Sequence, residues 1–121
     1  MTEDDYCSYE LSKFLNEKDC FDGEANCFID VSGTRYDYTL LGFIQDEVLP
    51  CPTHAVIMKQ LREQYGVCIV ITPNFDTNGN IIYIPSIFKN GFYNGRPKNA
   101  HSESYPAAVE FAIMWVLTEM L

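Results

Sequence analysis

Basic side chains are scarce in this sequence, and their scarcity limits the kinds of partner it suits. Its 121 residues contain 8 lysines and arginines against 17 aspartates and glutamates, which gives a net charge of −9. A surface with this charge repels phosphate backbones. The composition therefore argues against a general nucleic-acid-binding protein, although a local basic site stays open.

Motifs of known chemistry are missing as well. The sequence contains no glycine-rich phosphate loop, no HExxH zinc motif and no GxSxG nucleophile motif. Adjacent acids occur at Asp4–Asp5 and Asp46–Glu47, in polar segments where solvated surface is the usual role. We therefore predict no catalytic residue and no cofactor, and an enzyme is the third of three functional hypotheses.

A secretory signal and a membrane span are also missing from the pattern. The first ten residues carry acid where a signal peptide carries base, and no apolar stretch follows them. The apolar segment 107–121 is shorter than the roughly 20 residues of a membrane span and contains Glu110 and Glu119. We expect a cytoplasmic protein without membrane association. Its five cysteines are then reduced thiols.

Cys51 and His54 are the residues whose spacing suggests metal or nucleophile chemistry. A structural zinc site favours two tight ligand pairs, whereas Cys20 and Cys27 are too far apart in sequence to form one. A nucleophilic Cys51 with His54 or His101 as base lacks any surrounding nucleophile motif. We predict no metal site and interpret His54 as partly buried in the first turn of a helix.

Hydrophobic spacing predicts three helices. The first is capped by Ser8 and ends near Asp19, and the second is capped by Thr53 and closed by Gly66. The third begins near 104–106 and continues to the last residue, with a proline suited to its first turn.

Short β-branched runs predict the strands. Residues 27–31 form one strand, and 35–47 is ambiguous between a strand and an irregular segment. Two further runs flank Asn78–Gly79, a strong signal for a type I′ hairpin, and residues 89–104 have the composition of a loop. We predict an α+β fold in which a small antiparallel sheet of 3–4 strands, including a hairpin at about 67–88, packs with three helices. It forms a single domain over residues 1–121, with an acidic tail at 1–5.

The segment around residues 88–101 is the one basic region of the sequence. Cations and aromatic side chains alternate there, as single-stranded nucleic acid or another anionic partner would require. Three cations are few for a salt-dependent grip. A nucleic-acid or anion-binding module is therefore the second functional hypothesis, with these contact residues: Lys89, Phe92, Tyr93, Arg96 and Lys98.

The closing helix has almost no polar face, since Glu110 and Glu119 fall on opposite sides of it. We expect Ala108, Phe111, Ala112 and Trp115 to line the sheet. A helix that is apolar nearly all round is covered on most sides. We therefore predict that a protein partner or a second copy of the chain covers the rest, through Ile113, Met114, Trp115 and Leu117, with burial by the N-terminal segment as the alternative.

Three segments resemble, in order, small uncharacterised proteins of gut Bacteroides-type bacteria and their phages or mobile elements. These are SYELSKFLNEKDCFD, CPTHAVIMKQLREQYGVCIVITP and SYPAAVEFAIMWVLTEML, which together cover about half of the chain. The resemblance implies an intracellular accessory protein and supplies no functional residues. The closing helix of those proteins is usually amphipathic, unlike this one. The first functional hypothesis is accordingly an accessory protein that acts by protein–protein interaction.

Overall fold

The computed structural model describes residues 5–18, 27–37, 47–95 and 103–121. The fold consists of two compact units, Met1–Ile57 and Met58–Leu121. The first unit contains twelve acidic and three basic side chains, and the second contains five of each. The whole net charge of −9 therefore belongs to the first unit. The single-domain organisation stays a prediction.

The first unit packs a helix on a small sheet. Its elements are α1 (Tyr9–Lys18), β1 (Cys27–Ile29), β2 (Arg35–Asp37) and β3 (Leu49–Pro50), and its strands are antiparallel in the order β2-β1-β3. Helix α1 begins as predicted, because the Leu11 N–H donates to the Ser8 hydroxyl at 3.2 Å. The buried apolar side chains of this unit are Cys7, Leu11, Leu15, Ile29, Cys51 and Ile57.

Helix α2 (His54–Tyr65) has the predicted start and stop signals. The Val56 N–H donates to the Thr53 hydroxyl at 3.3 Å, and Gly66 follows the last turn with φ of +68°. Glycine suits this position because of its positive φ, and a side chain there would also displace the side-chain amide of Asn90.

The second unit contains a longer sheet. Strands β4 (Val67–Phe75), β5 (Ile81–Lys89) and β6 (Phe92–Gly95) are antiparallel in the order β4-β5-β6, and α3 (Tyr105–Glu119) packs against β4 and β5. Strand β6 corrects the prediction of a loop over 89–104. Asn90 and Gly91 both have positive φ, so they form the tight turn that pairs β6 with β5.

The β4–β5 hairpin is confirmed, but its turn differs from the predicted type I′. Only Gly79 has positive φ in this turn, and the Asp76 N–H donates to the Asn80 carbonyl at 2.9 Å. These features define a three-residue loop with glycine in the left-handed position. The Asp76 carboxylate stabilises the longer loop, since it accepts from the N–H groups of Asn78 and Asn80 at 2.8 and 2.9 Å.

The orientation of α3 on the sheet also differs from the expected one. The side chains that pack inward form two adjacent stripes: Ala108, Val109, Ala112, Ile113, Val116 and Leu117. Phe111, predicted to face the sheet, is 44% exposed, and Trp115 is half-buried. Two alanines bring the helix close to the strands while branched side chains fill the remaining space, so the largest rings stay at the margin.

The α+β class, the three helices and the hairpin are confirmed in the described residues. The strands are divided between two three-stranded sheets instead of forming one.

Two alanine substitutions test the orientation of α3. Ile113→Ala removes a side chain with no exposed surface, so we expect a loss of about 2–5 kcal/mol in the free energy of unfolding. Phe111→Ala removes a larger side chain from an exposed position, and we expect a loss of about 1 kcal/mol or less. Denaturant unfolding of both variants measures the difference. Equal losses, or a larger loss at Phe111, would show that the helix is rotated.

Candidate protein-contact surface

The sheet of the second unit has one covered face and one open face. Successive side chains of a strand point to opposite faces. The side chains that face α3 include Val67, Ile69, Pro85 and Ile87, all buried. We call the other side the open face, and it consists of the alternate residues of β4 and β5 together with one residue of β6: Cys68, Val70, Thr72, Asn74, Ile82, Ile84, Ser86, Phe88 and Tyr93.

The open face is uncharged and accessible. None of its nine residues is buried and none carries a charge. Val70 is 42% exposed and Tyr93 is 59% exposed, while Ile82, Ile84 and Phe88 are half-buried. Phe88 and Tyr93 stack edge to face with ring centroids 5.5 Å apart, which holds an aromatic pair at one end of the face.

The outer part of the β4–β5 hairpin is exposed on its second side too. Tyr83 stacks on Tyr105, the first residue of α3, with ring centroids 5.6 Å apart. Beyond this contact the helix no longer covers the strands, and the cross-strand partners Phe75 and Ile81 are 67% and 50% exposed. We call residues 70–84 the hairpin arm.

Charge is nearly absent from the hairpin arm. Asp76 is its one charged residue, and the turn already uses that carboxylate for two backbone hydrogen bonds. Exposed apolar side chains on both sides of a hairpin, here Val70 on one side and Phe75 and Ile81 on the other, are typical of a protein contact. A two-stranded hairpin also gains little stability from its own contacts, so a partner that covers the arm would stabilise it.

The faces of the arm suit a contact better than its edge does. The Asn90 N–H donates to the Gly66 carbonyl, so the even-numbered residues of β4 exchange hydrogen bonds with β5. The odd-numbered residues of β4 direct their N–H and C=O groups to the free edge of the sheet, where Pro73 lacks an N–H donor. Addition of a further strand along this edge is therefore interrupted at its centre.

The four residues predicted to form an interface on α3 are not all accessible. Ile113 and Leu117 have no exposed surface within the single chain, because they pack inward with Val109 and Val116. Met114 and Trp115 are half-buried, and with Phe111 they form a narrow strip on the outer side of the helix. The predicted contact through all four residues is therefore corrected.

The predicted basic and aromatic contacts are only partly brought together. Lys89 and Phe92 are cross-strand partners, and Phe92 is 79% exposed. Tyr93 points to the opposite face, beside Phe88, so the two neighbouring rings cannot form one stacking platform. Arg96 and Lys98 lie outside the described residues. Among the described residues of this segment, one cation and one ring lie on the same face, which is a small base for nucleic-acid binding.

The first unit contains a cavity of about 590 Å³. Its lining consists of Tyr9, Lys13, Asn16, Asp30, Val31, Ser32, Glu47 and Leu49. The Asp30 carboxylate is occupied: it accepts from the Ser32 hydroxyl at 2.6 Å, the Tyr36 hydroxyl at 2.8 Å and the N–H groups of Ser32 and Thr34 at 3.0 Å. It closes the β1–β2 turn, and hydrogen bonds engage both of its oxygens.

Cys51 and His54 are both buried. The Cys51 thiol donates to the Cys7 carbonyl at 3.0 Å, which orients it towards the N-terminal segment. Within the described parts of the chain, no three histidine, cysteine, aspartate or glutamate side chains are grouped so that they could hold a metal ion. Cys20 and His101 lie outside those parts. Over the same residues, no helix has both the length and the apolar composition needed to cross a membrane.

No protein-family model, curated protein or solved structure matches this chain. The resemblance of three sequence segments to Bacteroides-type accessory proteins stays a prediction.

Sequence reasoning missed the hairpin arm, although a signal was present. In the two strands between residues 67 and 88, apolar residues occupy both the odd-numbered and the even-numbered positions. This pattern predicts strands that are covered on both faces. A single closing helix cannot cover both faces of a sheet. The combination of two-sided apolar strands with one long helix therefore indicates an uncovered face.

Acid titration tests the role of Asp30. Hydrogen bonds from the Ser32 hydroxyl and then the Tyr36 hydroxyl hold the pKa of the Asp30 carboxyl below its ordinary value. A lowered pKa contributes stability above the unfolded-state value, which is lost as the pH falls through the folded-state value. We expect the thermal midpoint of the wild type to fall more steeply than that of Asp30→Asn below about pH 4.

The exposed carboxylate of Glu17 on α1 provides the control. Glu17→Gln should keep the steep acid dependence of the wild type. Parallel curves for the wild type and Asp30→Asn would remove the assigned role.

Proposed function

We propose that this protein acts by binding another protein, and that the hairpin arm and the open face form the contact. The observation that carries the proposal is the accessible surface on both sides of residues 70–84, where Asp76 is the one charged residue. An apolar cleft is the surface that complements such an arm, because burying apolar area is the main gain available to it.

The charge of the first unit defines the partner further. Twelve acidic side chains give the first unit a strongly negative field, while the arm carries the single charge of Asp76. Charge of one sign mainly accelerates encounter with a partner of opposite sign and repels a partner of like sign. The partner that fits both properties has an apolar cleft and a net positive charge. A second copy of the chain fits less well, because both copies carry −9.

An accessory role in the cytoplasm of a bacterium, with a phage or mobile-element origin, is the biological setting we propose. The support is the resemblance of the three sequence segments, together with the acidic composition. No step of the contact argument depends on this setting.

Binding of nucleic acid or another anion is the second candidate. Its support is the exposed Lys89–Phe92 pair at the turn between β5 and β6. Stacking on one ring with one cation gives less affinity than the established platforms, which combine several of each. The hairpin arm offers a larger surface and is therefore the better supported site.

Two charge-introducing variants test the arm. Val70→Asp places a carboxylate on the open face and Ile81→Asp places one on the other side of the arm. Phe111→Asp is the matched control, since Phe111 on α3 is exposed to a similar extent. We expect each arm variant to weaken the partner complex about 30-fold or more, because a carboxylate would be buried in an apolar contact.

The partner is obtained by affinity purification from the native host, and its affinity for each purified variant is then measured by calorimetry. Circular dichroism confirms that the variants are folded. Light scattering on the protein alone shows whether a second copy is the partner. Full retention of the partner by both arm variants, or its loss only with Phe111→Asp, would contradict the proposal.

Titration with labelled single-stranded oligonucleotides at low salt tests the second candidate. We expect no saturable binding, because Tyr93 and Phe92 face opposite sides of the sheet. Among the described residues, Lys89 is the one cation near these rings. Saturable binding that disappears in Phe92→Ala and weakens with added salt would favour the second candidate over the first.

A further inference from the structure

Two cysteines face each other across neighbouring strands of the first unit. The β1–β3 register pairs Phe28 with Pro50 and Ile29 with Leu49, and it continues to Cys27 and Cys51. The Cys51 N–H donates to the Cys27 carbonyl at 2.9 Å, which confirms that continuation. Directly opposite residues of an antiparallel pair project their side chains to the same side of the sheet.

The spacing of such a pair suits a disulfide. Opposite residues that exchange backbone hydrogen bonds have Cα atoms about 5.5 Å apart. Disulfides span Cα separations of about 4.4–6.8 Å. Their Cβ atoms are usually about 3.5–4.5 Å apart, whereas opposite Cβ atoms in a sheet are about 4.5–5.5 Å apart. Closing the bond therefore requires a small approach of the strands, and a disulfide strained in this way is more readily reduced.

We propose that Cys27 and Cys51 form a reversible modification site, an intramolecular disulfide made by exchange with a small disulfide such as oxidised glutathione. In the first step one protein thiol, as its thiolate, attacks a sulfur of the small disulfide, forms a mixed disulfide and releases one glutathione thiolate. In the second step the other protein thiolate attacks the protein sulfur of the mixed disulfide and releases the second glutathione. The two protein thiols are oxidised, the small disulfide is reduced, and both thiol protons pass to the departing glutathiones.

Accessibility assigns the two roles. Cys27 is half-buried, so a small disulfide can reach it, whereas Cys51 has no exposed surface. Cys27 is the attacking thiol and Cys51 is the resolving thiol. Cys51 must first give up its hydrogen bond to the Cys7 carbonyl.

The surroundings make the first step slow at neutral pH. Burial, then the nearby Cys51 and, to a smaller extent, Asp37 together raise the pKa of Cys27 to about 11, against a lowering by Arg35. Because the thiolate is the reacting form, the oxidation rate should rise about tenfold per pH unit until the pH approaches that value.

The proposal is tested on the full-length chain in buffers that contain reduced and oxidised glutathione at a series of ratios. Intact mass spectrometry should show a species lighter by two hydrogen atoms as the oxidised fraction increases. Peptide mapping of the oxidised wild type should identify the link between Cys27 and Cys51, and this measurement depends on no variant. The oxidised form should also unfold at a temperature several degrees higher, because the bond closes the chain segment between the two strands.

Cysteine variants provide the matched controls. Cys68→Ser, on the open face of the other sheet, should oxidise like the wild type. Cys27→Ser should lose the lighter species, and Cys51→Ser should stop at the glutathione adduct of Cys27. A different linkage in the wild type, such as Cys7 with Cys51, would overturn the assignment. Full reduction at every ratio after equilibration at alkaline pH would overturn the site itself.

Discussion

The packing of α3 against β4 and β5 is the contact on which the organisation of the second unit depends. Helix α3 contacts both strands, and its side chains Val109, Ile113, Val116 and Leu117 are buried together with two alanines. The part of the sheet that α3 covers ends near the first residue of the helix, Tyr105, whose ring contacts the ring of Tyr83. Because one helix covers one face over part of its length, the same packing that forms the core also determines which apolar surface is left exposed.

The acidic side chains and the exposed apolar surface lie in different parts of the chain, and the proposed contact uses both. The acidic side chains belong to the first unit, whereas the hairpin arm in the second unit has one charge that its own turn uses. Long-range attraction and short-range burial can therefore act through different parts of one molecule. In such a contact the charge of the first unit accelerates association, and burial of the hairpin arm stabilises the complex.

Local signals predicted much of the fold because each one acts over a few residues. Ser8 and Thr53 cap the first two helices and Gly66 ends the second, as their sequence positions predict, and Ser104 caps the third within the predicted start at 104–106. Strand β6 was missed because Asn90–Gly91 stands in a polar segment, where composition outweighed a turn signal that was present.

The face of α3 could not be predicted for a different reason. Both sides of that helix are apolar, so periodicity gives no preference, and the choice depends on how side-chain volumes fit the strands beneath. Ile113 and Leu117 were therefore expected outside and lie inside, while Phe111 was expected inside and lies outside. The candidate site depends on the same choice, since the open face is recognised only when the covered face is known.

Site-specific photocrosslinking in the native host tests the central claim most directly. A photoreactive residue at Thr72, an exposed position in the middle of the open face, should crosslink to one basic protein. The same residue at Phe111, on the outer side of α3, should give no specific product. A specific crosslink from position 111 with none from position 72 would contradict the account, because the contact would then lie on the helix and not on the hairpin arm.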